Sequence, residues 1–339
     1  MKILYICPLN PVLLAAAGGH VISTVNLLHM QGNDVTLLHL GPPHPDLHST
    51  VGEVSCAIVN ASLLKKIFQK IRFSFKALQL IRRESVDIVY LRFVKSEFLI
   101  PIVLRLNGNN LVTEFNADTK RDLEASNTRR AKIFMYLLIE KLNVICSRHI
   151  VVVAEGIADS LKKRHQLTSD AITTVNNGTD ITLYRPLDRA TCKKNLKLSD
   201  AQSYVVFAGT FQSWQGLKDL IRAFTSVVQS ISDVTLILVG DGPEMASLRA
   251  MVKRHELEDK VIFAGWCTQA RTAQYLGASD VCIAPYNRAA ASEPGIADLD
   301  GTPMNRSPLK LYMYIAAARP VVTTNYLDCL LYTSPSPRD

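Results

Sequence analysis

Ser307-Pro308-Leu309-Lys310-Leu311-Tyr312-Met313-Tyr314-Ile315-Ala316-Ala317-Ala318-Arg319-Pro320-Val321-Val322 reads as a turn, a helix and the start of a buried strand. Pro308 suits the first helical turn, where no amide donor is needed. The free N–H groups of that turn carry the positive end of the helix dipole, so the start of this helix is built to hold an anion. Arg319-Pro320 then stops the helix, and Pro320 to Thr324 reads as a parallel strand.

Outward from this segment, short Val- and Ile-rich runs alternate with longer amphipathic stretches, the pattern of parallel strands joined by helical crossovers. The first half shows strands at Lys2 to Cys7, Asp34 to Leu40, Asp87 to Arg92, Asn110 to Phe115 and His149 to Val153. The second half shows them at Tyr204 to Ala208, Val234 to Val239, Val261 to Ala264, Asp280 to Ala284 and Pro320 to Thr324. Helices are expected near Leu217 to Ser230, Pro243 to His255 and Thr268 to Gly277. The length of 339 residues exceeds one ordinary core, at roughly 150 residues a domain. Two α/β doubly wound parallel sheets are therefore expected, in domains of residues 1–187 and 188–327. The boundary is placed in the polar stretch from Asp188 to Ser203.

Only 20% of residues are charged against 48% hydrophobic, which excludes a disordered or fibrous chain. The net charge of +8 favours anionic partners. Seven cysteines are scattered without a Cys-x-x-Cys or a Cys/His cluster, so no zinc site and no disulfide framework is expected, and reduced cytosol is the natural compartment. Pro8, Asn10 and Pro11 interrupt the N-terminal apolar run, which favours a first strand over a cleaved signal. No run of about 18 apolar residues lacks a charge, so membrane contact would be peripheral. Nucleic acid is not an expected partner, because no recognised module is present.

Shorter motifs follow in order. Gly18-Gly19-His20 comes after the opening strand, just ahead of a helix expected from near Val21. Thr113-Glu114-Phe115-Asn116-Ala117 ends a strand with Glu114 and Asn116 on one side of an extended chain. Asn177-Gly178 reads by turn chemistry as a turn with positive φ, with Tyr184-Arg185-Pro186 close behind. Gly209-Thr210-Phe211-Gln212-Ser213-Trp214-Gln215-Gly216-Leu217-Lys218 joins a strand to a helix, where Trp214 is expected to pack under the loop. Val239-Gly240-Asp241-Gly242-Pro243 lacks the later glycine of a nicotinamide site.

Taken with Ser307 to Val322, these motifs resemble the family 4 retaining glycosyltransferases, which have the GT-B fold. The resemblance implies two Rossmann-like domains facing across a cleft, the second of them incomplete. It implies transfer of a sugar from a UDP-, GDP- or other nucleotide-diphosphate sugar to a hydroxyl on a glycan or lipid-linked acceptor, with retention. Donor contacts are implied at Gly18, Gly19, His20, Gly209, Gln215, Lys218, Ser307, Pro308, Leu309, Lys310 and Met313, and catalytic contacts at Glu114 and Asn116. No metal or other cofactor is required, since helix dipoles and cations stabilise the departing diphosphate. Four positions depart from the family pattern. Met313 stands where a glutamate is usual, Asn305 where the first acidic residue of the family's spaced glutamate pair would fall, Ala318 where a glycine is usual, and Gln215 where a lysine is common, leaving Lys218 or Arg222 to supply the charge. Two other readings share the fold: a non-catalytic nucleotide-sugar-binding protein and a sugar epimerase.

The stretch 64–83 interleaves Lys65, Lys66, Lys70, Arg72, Lys76, Arg82 and Arg83 with Ile67, Phe68, Ile71, Phe73 and Phe75. Such a helix either lies on an anionic membrane or presents a charged outer face to solvent. The expected site of action is the cytoplasm or the inner face of the membrane. Residues 328–339 abandon both periodicities and are expected to be an unrelated tail on a truncated second domain.

Overall fold

A computed structural model of the chain describes residues 1–11, 15–57, 63–125, 128–286 and 308–324. They form two compact units, Met1–Asn177 and a second beginning at Gly178.

The first unit is a parallel sheet in the order β3-β2-β1-β4-β5-β6-β7. Its strands are β1 (Lys2–Cys7), β2 (Asp34–Leu40), β3 (Gly52–Cys56), β4 (Ile88–Arg92), β5 (Leu111–Phe115), β6 (His149–Val152) and β7 (Ile172–Thr174). Its helices are α1 (Ala15–Met30), α2 (Leu63–Glu84), α3 (Leu99–Leu106), α4 (Thr119–Ala125), α5 (Arg130–Cys146) and α6 (Glu155–His165). Alternation along β1 decides the layering. Ile3, Tyr5 and Cys7 pack against Val21, Ile22 and Val25 of α1 on one face. Leu4 and Ile6 pack against Phe73, Ala77 and Leu80 of α2 and Ile100 and Leu104 of α3 on the other. The chain thus crosses from one face to the other between β1 and β4, which opens a crevice at their C-terminal ends.

The second unit is a parallel sheet in the order β10-β9-β8-β11-β12. Its strands are β8 (Ser203–Ala208), β9 (Val234–Val239), β10 (Val261–Gly265), β11 (Val281–Ala284) and β12 (Val321–Thr323). Its helices are α7 (Arg189–Leu196), α8 (Leu217–Ser230), α9 (Met245–Arg254), α10 (Gln269–Ala278) and α11 (Leu309–Ala316). One face buries Phe207 with Leu217, Leu220, Ile221 and Phe224 of α8. The other buries Tyr204 and Val206 with Cys192, Leu196, Leu276, Leu311 and Tyr314. Here the crossover falls between β8 and β11.

The division between the units lies at Asn177/Gly178, ahead of the expected boundary at 187/188. The reason is packing: Tyr184 is buried in the core of the second unit, and Leu183 and Leu187 lie against it. The polar stretch from Asp188 forms the helix α7, whose Cys192 and Leu196 lie in the same core. Asp188 caps α7 by accepting from the Thr191 N–H at 2.8 Å. Gly178 is absent from the glycines with positive φ, so Asn177-Gly178 is not the left-handed turn its composition suggests.

Candidate functional site

In the first unit the C-terminal ends of β4 and β5 gather a polar group around one carboxylate. Arg92 and Glu114 are register partners at the ends of the two strands. Glu114 is 2% exposed. Its Oε2 accepts from the Tyr90 hydroxyl at 2.7 Å. Its Oε1 faces His20 Nε2 at 2.9 Å and accepts from Arg92 Nη1 at 3.3 Å and from the Asn116 side-chain amide. Arg92 Nη1 also donates to Asn116 Oδ1 at 2.8 Å. Burial by itself would push the Glu114 carboxyl up. The charge and hydrogen bond of His20, then Arg92 and Asn116, outweigh it and hold the group down to about 2. Glu114 is therefore a fixed anion at neutral pH. The Tyr5 ring stacks on Tyr90 at 5.0 Å and closes the group from below.

His20 reaches this carboxylate because α1 begins at Ala15 rather than near Val21. Gly18-Gly19-His20 is thus a stretch of helix, not a loop ahead of one. A Cβ at Gly18 would overlap the Pro11 carbonyl oxygen, so glycine there lets the helix lie against the loop that follows β1. His20 is 12% exposed at its side chain and remains the most accessible arm of its pair with Glu114. Glu114, expected to meet substrate directly, is instead enclosed by the groups it holds.

Behind this group a second buried network ties α4, α5 and α6 together. Arg164 donates to Glu140 Oε1 at 2.6 Å and to Asp118 Oδ1 at 2.8 Å, and His165 Nε2 lies 2.7 Å from Glu140 Oε1. Burial works against both carboxylates' charge. The bonds from His165 and Arg164 keep Glu140 below its ordinary range, and those from Ser160 and Arg164 do the same for Asp118.

In the second unit the loops after β8, β9 and β11 meet the start of α11. Phe211 N donates to Asp241 O at 2.9 Å and Glu244 N returns a bond to Phe211 O at 3.0 Å, so the loops after β8 and β9 interlock. A Cβ at Gly240 would overlap the Gly209 carbonyl oxygen, which demands glycine at this crossing. Lys310, in the first turn of α11, is 8% exposed. Its Nζ donates to Gln215 Oε1 and lies 4.0 Å from the Phe207 ring centroid and 5.2 Å from that of Tyr286. Tyr314, one turn further on, accepts from Ala208 N at 2.9 Å and so fixes α11 to the end of β8.

Of the expected donor residues, Gly209, Gln215, Pro308 as the residue capping α11, Leu309 and Lys310 come together here. Lys218 does not join them, because its ammonium pairs with Glu244 on the surface. Arg222 is likewise held by Asp219 at 2.8 Å. Met313 is half-buried against the core below α11. Ser307 lies outside the described residues. Trp214 stacks on Tyr286, with centroids 6.3 Å apart, and packs on the core as expected. Tyr90, Arg92 and Tyr286 join these groups without matching any of the sequence motifs. The first two carried a signal, as polar residues two apart at the end of an apolar strand. Among the described residues no three His, Cys, Asp or Glu side chains are grouped to hold a metal ion, and no helix is long and apolar enough to cross a membrane.

Residues 17–183 match the family model for Glycosyltransferase Family 4, and residues 202–330 match that for Glycosyl transferases group 1. N-acetyl-alpha-D-glucosaminyl L-malate synthase of Bacillus anthracis is 31% identical over 134 residues, 39% of this chain and 34% of that protein. The GPI3 subunit of phosphatidylinositol N-acetylglucosaminyltransferase of Saccharomyces cerevisiae (strain YJM789) is 25% identical over 205 residues, 59% of this chain and 43% of that protein. The chain therefore matches less than half the length of these two curated relatives. The Anabaena protein HepE, solved in complex with UDP and glucose, matches with a TM-score of 0.70 at 15% identity, over 98% of this chain and 82% of its own.

Proposed function

The chain belongs to the family 4 glycosyltransferases and has their GT-B fold, and on that premise we propose that it moves a sugar from a nucleotide-diphosphate sugar to a hydroxyl acceptor, with retention. One observation carries the reading. The Lys310 ammonium is held at the topological crossover of the second sheet, in the first turn of a helix whose dipole favours anions. Negative charge grows on the departing diphosphate as the glycosidic bond to it breaks. A cation and amide dipoles already in place stabilise that charge without reorganising. HepE was solved with UDP and glucose, which supports a nucleotide-sugar donor here.

In this reading the first unit receives the acceptor. Glu114 serves as the ionised anchor that orients His20, Arg92 and Tyr90, and His20 is the arm that meets the acceptor. The acceptor is proposed to be lipid-linked. The outward face of α2 carries Phe68 and Phe75, at 65% and 66% exposed, together with exposed Ile67 and Ile71. Lys65, Arg72, Arg82 and Arg83 lie exposed on the same helix. Aromatic and aliphatic side chains standing outward among cations favour an anionic membrane surface over a merely solvated helix. The protein is accordingly proposed to work at the cytoplasmic face of the membrane.

The test is a panel of UDP- and GDP-hexoses assayed for released nucleotide, with and without lipid acceptor, beside calorimetry of UDP. Acceptor-dependent release is the expected result. Binding without turnover favours a non-catalytic nucleotide-sugar binder, and turnover of donor without acceptor favours an epimerase.

A further inference from the structure

We infer that Gln215 is a positioning residue: it aims the Lys310 ammonium at an anionic group of the diphosphate class at the C-terminal end of β8. The inference rests on the donor reading above and deepens it. Gln215 ends a single 3-10 turn, Ser213–Gln215, and is 3% exposed. A buried amide must have partners, and its Oε1 takes one of the three protons of the Lys310 ammonium. Gly216 follows with φ 70°, the left-handed conformation that turns the chain directly into α8, so the Gln215 side chain is set by a closed turn on its C-terminal side.

The ammonium is fixed from other directions as well. Phe207 and Tyr286 offer their ring faces, and Trp214 stacks on Tyr286 with the two planes 7° apart. A Cβ at Gly209 would stand 3.1 Å from Lys310 Nζ, so glycine keeps the turn above the ammonium open. A lysine is a flexible point charge with no preferred fork geometry, and held this way it becomes a directed one. The identity of residue 215 then has a specific consequence. A neutral oxygen orients the cation without setting a negative charge beside it. A carboxylate there orients it equally well and cancels the charge that an incoming phosphate would meet.

The experiment uses the full chain and its Gln215→Glu and Gln215→Met variants, with calorimetric titration of inorganic pyrophosphate and of UDP and a thermal melt of each protein. Glu at 215 is expected to lower affinity for both ligands by about tenfold or more while the melting temperature stays level or rises, because it strengthens the contact to Lys310. Met at 215 keeps the volume and removes the acceptor, and is expected to weaken binding by a smaller factor of about three to ten. A residue that merely packs the turn would not raise stability and lower anion affinity together. Wild-type binding of UDP with both variants binding equally well overturns the inference and leaves the donor reading standing. A wild-type chain that binds neither ligand overturns both.

Discussion

His20 Nε2 and Glu114 Oε1 lie 2.9 Å apart, although one rides on the first helix and the other ends the fifth strand. That contact closes the polar group at the crossover of the first sheet, since the same oxygen also receives Arg92 and Asn116. Glu114→Gln keeps the shape and removes the charge, leaving Arg92 buried without its anion. The expected cost is about 3 kcal/mol in a denaturant titration, with acceptor-dependent turnover falling by more than about tenfold. An unchanged denaturation midpoint would mean that the carboxylate does not hold the group together.

The same residue sets part of the response to acid. Its folded-state value is depressed from 4.5 to about 2, so its stabilisation is fully present above about pH 4.5 and is lost as the pH falls toward 2. Asp118 and Glu140 are depressed too and act in the same direction. Unfolding in this window should take up protons. The Gln variant at 114 should flatten the slope of stability against pH by up to one proton, about 1.4 kcal/mol per pH unit. Parallel slopes for the two proteins between pH 3 and pH 4 would contradict the assignment.

Phe68→Ser with Phe75→Ser should abolish co-sedimentation with anionic vesicles while changing stability by less than about 1 kcal/mol, since both rings stand two-thirds exposed. The unaltered protein should prefer anionic over neutral vesicles, through Lys65, Arg72, Arg82 and Arg83. Equal binding to the two vesicle types, or binding by the double variant as tight as by the parent, removes the membrane proposal.

The central strands were legible because parallel strands buried on both faces are continuous apolar runs. Val234–Val239 is buried at every position and matches its expected bounds. The edge strands were not. Gly52–Cys56 has no fully buried residue and reads as loop, and Ile172–Thr174 is three residues long. At the site, glycine and proline spacing announced the Gly209 turn and the start of α11. What spacing does not carry is the long-range pairing that decides which cation serves. Lys218 and Lys310 look equally available in one dimension, and only packing gives the first to Glu244 and the second to Gln215. Two glycines ahead of His20 suggest a loop, whereas here Gly18 serves close helix packing.

Lys218→Ala tests that distinction. The Lys218–Glu244 pair is 46% and 22% exposed at its side chains, so its loss should change stability by no more than about 1 kcal/mol. UDP affinity should change by less than about twofold, whereas Lys310→Met should weaken it by more than about tenfold. A tenfold loss at Lys218 would return the donor cation to the loop.

Ala318 occupies the left-handed region with φ 51° just past the end of α11. Its N–H donates to Ile315 O at 2.9 Å and the Arg319 N–H to Tyr314 O at 3.3 Å, the paired closing bonds of a helix end that favours glycine. An alanine Cβ is strained there, and this is the position where the family resemblance expects glycine. Ala318→Gly should therefore stabilise the second unit by about 1 kcal/mol, even though glycine gives the unfolded chain more freedom. The side chain at 318 is exposed, so no packing is lost to offset the gain. A melting temperature that falls on this substitution would show that the left-handed turn is not what limits the end of the helix.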